Sequence, residues 1–239
     1  MNSSDVDENP GQTDTEQSLT PVMEDYLRHI YNLETETDGW VSNAMVADRL
    51  DVTRATVTSM FDALESRGLI DREKYRPVRL TDEGRTAALA VVRRHRLLET
   101  LLVEVFDYGL GEVDAEADAL EHHVGDRLCR EIERVLGMPE TDPHGDPIPD
   151  ANLEVPRDDA TQSLAEVAES SRVEVARILT QDEATLDYLV EIGIEPSAVL
   201  TLDERTSFGM VTVTVGETGE RTNLPETVAT KLLVRPTGD

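Results

Sequence analysis

Residues 42–80 read SNAMVADRLDVTRATVTSMFDALESRGLIDREKYRPVRL, and the order of elements in this stretch decides the fold. Ser42 is placed to cap a short helix over 42–50 whose apolar positions are Ala44, Val46, Ala47 and Leu50. Asp51-Val52-Thr53 makes a turn, and Val57, Met60, Phe61 and Leu64 then recur at helical spacing from about Arg54 to Arg67, where Gly68 closes the helix. Leu69–Glu73 and Pro77–Leu80 read as two short strands around the basic tip Lys74-Tyr75-Arg76. Upstream, Tyr26, Leu27, Ile30, Tyr31 and Leu33 give an amphipathic helix that opens with Glu24 and Asp25. Helix, helix, turn, helix and hairpin, in that order, predict a winged helix-turn-helix.

Outward from this segment the chain changes character. Residues 1–20 are polar and acidic and are expected as a disordered tail. A long helix is expected from about Glu83 to Phe106 and a further one from about Asp114 to Leu136. Leu89, Val92, Leu97, Leu98, Leu101, Leu102 and Val105 give the first of these more apolar surface than one packing face needs, which points to a second subunit. Pro and Asp dominate about 137–161, which reads as a linker. Strand-like alternation at 172–178, 198–203, 210–215 and 231–234 then fits a small, partly open β-barrel. The fold class expected is mainly α with β. Its parts are a winged helix-turn-helix over 21–83, a helical dimerisation and metal-binding region over 84–140, a linker over 141–162 and an SH3-like barrel over 163–239.

The chain carries 50 acidic against 22 basic residues, a formal net charge of −28, and its only lysines are Lys74 and Lys231. Such a surface suits a high-salt cytoplasm, where self-repulsion is screened within a few ångströms. Residues 42–96 hold 11 Arg/Lys against 8 Asp/Glu, a local +3 that leaves −31 for the rest, so the one region that is not acidic is the winged helix and its continuation. With no apolar run or basic start at the N-terminus, neither a signal nor a membrane anchor is expected, and the location expected is cytoplasmic. The lone Cys129 rules out an intrachain disulfide and thiolate zinc clusters.

The second helix of the motif presents Thr53, Arg54, Ala55, Thr56, Thr58 and Ser59 at its N-terminal end, where such helices face base edges in the major groove. Arg72, Lys74 and Arg76 of the wing are placed to meet phosphates. Near molar salt, counterion release contributes little, so base and shape contacts must carry more of the binding. A hydroxyl-capped helix on a solvated surface would show the same residue types, but would not need the basic wing.

Asp118, Glu121 and His122 stand at i, i+3 and i+4, and His95 and Glu99 are four apart on the preceding helix. Two such faces can converge on one or two cations. His123 is rotated about 100° from His122, so only one of the pair is expected to ligate. A solvated acidic face is the alternative for either pair alone; two pairs on adjacent helices favour metal ligation.

The segments MEDYLRHIYNLE, VTRATVTSMFDALESRGLI, EKYRPVRLTDEG, RRHRLLETLL, ALEHHVGD and HGDPIP resemble, in order and spacing, the diphtheria-toxin-repressor family of metalloregulators. The resemblance is close over about 21–150 and looser in the terminal barrel. It implies one metal site made of Asp25, Asp118, Glu121 and His122, and an ancillary site lined by His95, Glu99 and Asp114. Asp25 and Asp118 stand where the iron-dependent members carry methionine and cysteine, and hard oxygen donors with one imidazole favour Mn2+, with Fe2+ also acceptable. Arg28 departs from the manganese regulators, which have a glutamate at that place. The barrel of three-domain members lends ligands to the ancillary site, for which Asp182 and Glu183 are the nearest candidates. What the resemblance implies is a homodimer that binds operator DNA when loaded with Mn2+ or Fe2+ and represses metal-uptake genes. No serine-histidine-aspartate set, phosphate loop or HExxH run is present, so the chain is not expected to be an enzyme. A metal-independent winged-helix regulator that senses a small organic ligand is the rival expectation.

Overall fold

A computed structural model of the chain describes residues 19–37, 39–72, 77–156, 161–216 and 218–237. It divides into two compact units, one ending at Arg85 and one beginning at Thr86.

The first unit opens with α1 (Pro21–Glu36), whose N-cap Thr20 accepts a hydrogen bond from the Met23 amide and whose first turn holds Pro21. Its apolar face, with Leu27 and Ile30 at 0% exposure, is buried. Next come α2 (Asn43–Arg49), capped by Ser42, and α3 (Arg54–Ser66), capped by Thr53. Asp51 takes the left-handed conformation (φ 50°) between them. Gly68 at φ 71° ends α3, as its sequence position demanded. The hairpin of β1 (Ile70–Arg72) and β2 (Val78–Leu80) follows, antiparallel with Ile70 opposite Leu80. The tip, with Lys74 and Arg76, lies outside the described residues.

Glu34 fastens this unit. It is 5% exposed, and its carboxylate accepts hydrogen bonds from the Leu80 amide and from the Arg85 guanidinium, which also lies over the Tyr31 ring. One side chain of α1 thus ties down the wing and the start of the next helix. Glu34→Ala leaves the buried Leu80 N–H without its acceptor and is expected to cost about 2 kcal/mol, read as a shift of the urea midpoint. An unchanged midpoint would show that water replaces the carboxylate there.

The second unit contains most of α4 (Asp82–Phe106), then α5 (Val113–Glu121) and α6 (Asp126–Val135). The single helix expected over 114–136 is two: His122 ends α5, and Gly125 in extended conformation starts α6. Leu97, Leu98, Leu102, Val113, Ala117, Cys129, Ile132 and Ile148 form its helical core. Much of the apolar surplus on α4 is therefore consumed within one chain. Val105, Phe106, Leu128 and Val135 stay 50–62% exposed.

A six-stranded antiparallel sheet completes this unit, in the order β3 (Gln162–Ser163), β8 (Leu232–Pro236), β4 (Arg172–Ile178), β5 (Val199–Arg205), β6 (Met210–Val215) and β7 (Arg221–Pro225). Alternate residues Val173 and Val175, Leu200 and Leu202, and Val211, Val213 and Val215 fill one face. The short helices α7 (Glu183–Glu191) and α8 (Glu226–Ala229) were not foreseen in the sequence. Leu110, from the turn between α4 and α5, is buried in the core of this sheet. No helix among the described residues is long and apolar enough to cross a membrane.

Candidate metal centre and nucleic-acid interface

The His95 imidazole, 5% exposed on α4, sits among four carboxylates. Its Nδ1 lies 2.8 Å from Glu121 Oε2 and 3.2 Å from Asp118 Oδ1. Its Nε2 lies 3.4 Å from both Glu99 Oε1 and Asp114 Oδ1. The i, i+4 spacing on α4 brings Glu99 under His95, while the turns of α5 deliver Asp114, Asp118 and Glu121 from the facing helix. His122, at the end of α5, has Nε2 3.6 Å from Glu121 Oε1. His123, just past the end of α5, is exposed. Asp25 is half-buried on α1 of the first unit. Arg28 on the same helix is 1% exposed, a buried cation where a carboxylate would be needed to supply an oxygen ligand.

Two further residues join this neighbourhood, and sequence reasoning missed both. Asp142 and His144, in the Pro-rich stretch read as a linker, are 6% and 5% exposed. With Glu99 they can offer three ligand atoms within 4.8 Å of one another, and His95, Asp114 and Asp118 form a second such set. Glu99 Oε1 stands between the two imidazoles, 3.6 Å from His144 Nδ1. His144 Nε2 is buried with no hydrogen-bond partner among the described residues. A histidine two residues after an aspartate in a stretch otherwise made of turn residues was the available signal.

The stretch from β4 into α7, which carries the candidates Asp182 and Glu183, reaches this region through the neighbouring Gln181. Gln181 donates to Asp114 Oδ1 at 2.8 Å, whereas Asp182 caps α7, accepting from the amide and hydroxyl of Thr185.

Burial pushes the Asp142 carboxyl well above the usual range, and the charges of Asp146 and Glu99 add to the shift. For Asp146 burial acts in the same direction, but the Arg96 and Arg177 guanidiniums outweigh it and hold the carboxyl low. The native metal-free chain therefore keeps a proton on Asp142 that the unfolded chain gives up. The stability contributed by this group is present below the ordinary aspartate pKa and lost as pH rises through the raised one. Asp142→Asn, whose side-chain oxygen can still accept the His144 and Asp146 amides, is expected to flatten that fall from about pH 4 upward. Urea unfolding in chelator at several pH values checks this, and an unchanged slope would place the shift elsewhere.

The donor set suits a hard divalent cation: carboxylates and imidazoles, no thiolate, and Glu99 and Glu121 at 2% and 0% exposure.

On α3, Thr53, Arg54, Ala55, Thr56 and Ser59 are exposed and Thr58 is half-buried. Their hydroxyls are less free than the sequence suggested. Thr53 Oγ1 caps the Thr56 amide and lies 2.9 Å from Thr56 Oγ1, while Thr58 Oγ1 donates to the Arg54 carbonyl and accepts from Asn43 Nδ2. The helix end therefore presents methyl groups, the Arg54 guanidinium and Ser59. Arg72, at the end of β1, is paired with Asp62 and lies over the Phe61 ring. Arg79, which sequence reasoning passed over, is an exposed cation on β2, 5.2 Å over the Trp40 ring and 3.5 Å from Asp71 Oδ2.

Three family models match the chain: the iron dependent repressor N-terminal DNA binding domain over 18–78, the iron dependent repressor metal binding and dimerisation domain over 81–150, and the FeoA domain over 162–236. The iron-dependent repressor IdeR of Mycobacterium tuberculosis is 36% identical over 222 residues, covering 88% of this chain and 95% of that protein. The diphtheria toxin repressor of Corynebacterium diphtheriae is 37% identical over 131 residues, 55% of this chain and 58% of that protein. Among solved structures, a manganese-dependent transcriptional repressor in complex with manganese is 39% identical with a TM-score of 0.84, over 90% of this chain and 100% of that one. The IdeR of T. acidophilum is 26% identical with a TM-score of 0.76, over 92% and 100%.

Proposed function

The chain belongs to the iron-dependent repressor family, a homodimeric, metal-dependent transcriptional repressor that binds operator DNA and is not an enzyme, and from that premise we propose which residues perform the switch. Asp25, Asp118, Glu121 and His122 hold one cation. His95, Glu99 and Asp114 hold a second, to which Asp142 and His144 add ligands beside Glu99. Mn2+ suits this all-oxygen and imidazole set, and Fe2+ is the other effector the donors accept. The observation that carries the reading is the crowding of Glu99, Asp114, Asp118 and Glu121 around the single His95 imidazole.

When bound, the cation would add positive charge among these carboxylates and hold them in one arrangement. His95 and His122 must be neutral to offer a lone pair, so protons compete with the cation and activation weakens as pH falls. Asp25, carried on the helix that opens the DNA-reading unit, makes that unit's position sensitive to cation occupancy. Thr53, Arg54, Ala55, Thr56, Thr58 and Ser59 read bases, and Arg79 joins Arg72, Lys74 and Arg76 at phosphates. Val105, Phe106, Leu128 and Val135 offer an apolar face for the second subunit, and each dimer presents two reading helices to successive half-sites. The domains run 21–83, 84–140 and 163–239, the protein works in the cytoplasm, and metal-uptake genes are its targets.

The test is selection of operators from a random DNA library by the full chain with Mn2+, with Fe2+ under anoxia, and with chelator. Enrichment of one sequence only when metal is present is expected. The same enrichment in chelator would favour a regulator that senses something other than metal.

A further inference from the structure

The turn that carries Asp142 and His144 is held from two sides. From α4, Arg96 donates to the Pro147 carbonyl and has Nε 3.5 Å from Asp142 Oδ2 and Nη2 3.6 Å from Asp146 Oδ1. From the sheet, Arg177 of β4 donates to the same Asp146 oxygen. The Ile178 amide donates to the His144 carbonyl at 2.8 Å. Gly145, at φ 86°, lies so close to β4 that a Cβ on it would stand 2.0 Å from the Ala176 carbonyl oxygen. Asp142 Oδ1 in turn accepts the amides of His144 and Asp146, each at 2.9 Å, so the two ligand-bearing residues and Asp146 move as one piece.

Arg177 points at this turn because β4 is irregular there. The register against β8 shifts between Val175 and Arg177, a bulge of the kind that re-aims a side chain. Without the extra residue, period-two alternation along β4 would turn position 177 to the same face as the buried Val173 and Val175. The bulge thus places a guanidinium of the sheet two residues from a candidate ligand of the helical region.

We infer that Arg177 is a positioning residue for metal binding: through Asp146 it fixes the turn that offers Asp142 and His144 to the cation shared with Glu99, so cation binding and the sheet's grip on the turn strengthen each other. This rests on the reading of Glu99, Asp142 and His144 as ligands. Reciprocity is required by linkage: whatever factor the grip contributes to affinity, the cation returns to the grip.

The experiment uses the full chain and Mn2+ alone, with sites counted by isothermal titration and hydrogen exchange followed at the Ile178 amide. His144→Ala is expected to lose one ion per chain. Arg177→Met is expected to weaken that same ion about 10-fold, the range found for groups that orient a ligand, and to leave the remaining ion unchanged. Arg177→Lys should restore most of the loss. Asp146→Asn, which keeps the volume of the turn, should repeat the Met variant if that one fails to fold. In the natural chain Mn2+ should slow exchange at Ile178, and in Arg177→Met this slowing should shrink by the same factor as the affinity. If His144→Ala loses no ion, the ligand assignment falls and the inference with it. If His144→Ala loses an ion while Arg177→Met and Asp146→Asn bind it as tightly as the natural chain, the ligands stand and the inference alone is wrong.

Discussion

Glu121→Gln is expected to lower Mn2+-dependent operator affinity on the order of 100-fold, with the fold and the dimer intact. Glu121 is completely buried, lies 2.8 Å from His95 and neighbours His122, so it touches both imidazoles of the helical centre. Glutamine fills the same volume and keeps a carbonyl oxygen, but removes one negative charge from a set that needs all its charge to hold a hard cation. Changes even to groups that only orient ligands cost about 10–100-fold in metal affinity, so loss of a ligand lies at or beyond the upper end. The apparent DNA affinity follows the fraction of dimer in the binding-competent arrangement, and so falls with metal occupancy. Fluorescence anisotropy of a labelled operator against Mn2+ concentration checks this. The metal-free baseline should stay where the natural chain has it, since Glu121 is far in sequence from any DNA-reading residue. A variant that keeps full Mn2+ response would remove Glu121 from the ligand set.

Arg54→Ala is expected to reverse that pattern, leaving Mn2+ binding untouched and weakening operator binding by about 1–3 kcal/mol, roughly 10–100-fold. Arg54 is exposed at the start of α3 and is the only guanidinium among Thr53–Ser59. In a chain of net charge −28 the approach of DNA is opposed by most of the surface, so each cation of the reading head counts for more. The salt dependence separates its two possible partners. If Arg54 meets a phosphate, the slope of log affinity against log salt drops by about 1; if it meets a guanine edge, the slope holds and discrimination at one base pair is lost. Unchanged affinity and unchanged sequence preference together would take α3 out of the groove.

The elements with strong local signals were legible in the sequence. Ser42 caps the helix it precedes and Gly68 closes α3, because caps and left-handed glycines answer to backbone chemistry within one turn; Thr20, placed in the tail by its polar surroundings, caps α1 for the same reason. The i, i+3 and i+4 spacings on α4 and α5 set His95 and Glu99 against Asp118 and Glu121, as helical geometry led one to expect, and Asp114, implied by the resemblance alone, lies beside them. What sequence did not show depends on contacts made at long range. Asp142 and His144 lie in a stretch whose Pro and Asp content reads as linker, and they are buried because Arg96 and β4 clamp the turn from opposite sides. Arg72 reads as a wing cation, and only the fold shows that it pairs with Asp62 and lies over the Phe61 ring. Thr58 reads as a free hydroxyl until Asn43, fifteen residues earlier, is found donating to it. The break between α5 and α6 falls at Val124-Gly125, where an apolar pattern continues across a glycine and periodicity alone gave one helix.

Anomalous diffraction at the manganese edge from the dimer bound to its operator tests the central claim most directly. The account predicts peaks between α4 and α5 in each subunit, with the side chains of His95, Glu99, Glu121 and His122 among their ligands. Operator-bound dimers with no manganese at those side chains, or with manganese only on surface carboxylates, would contradict it.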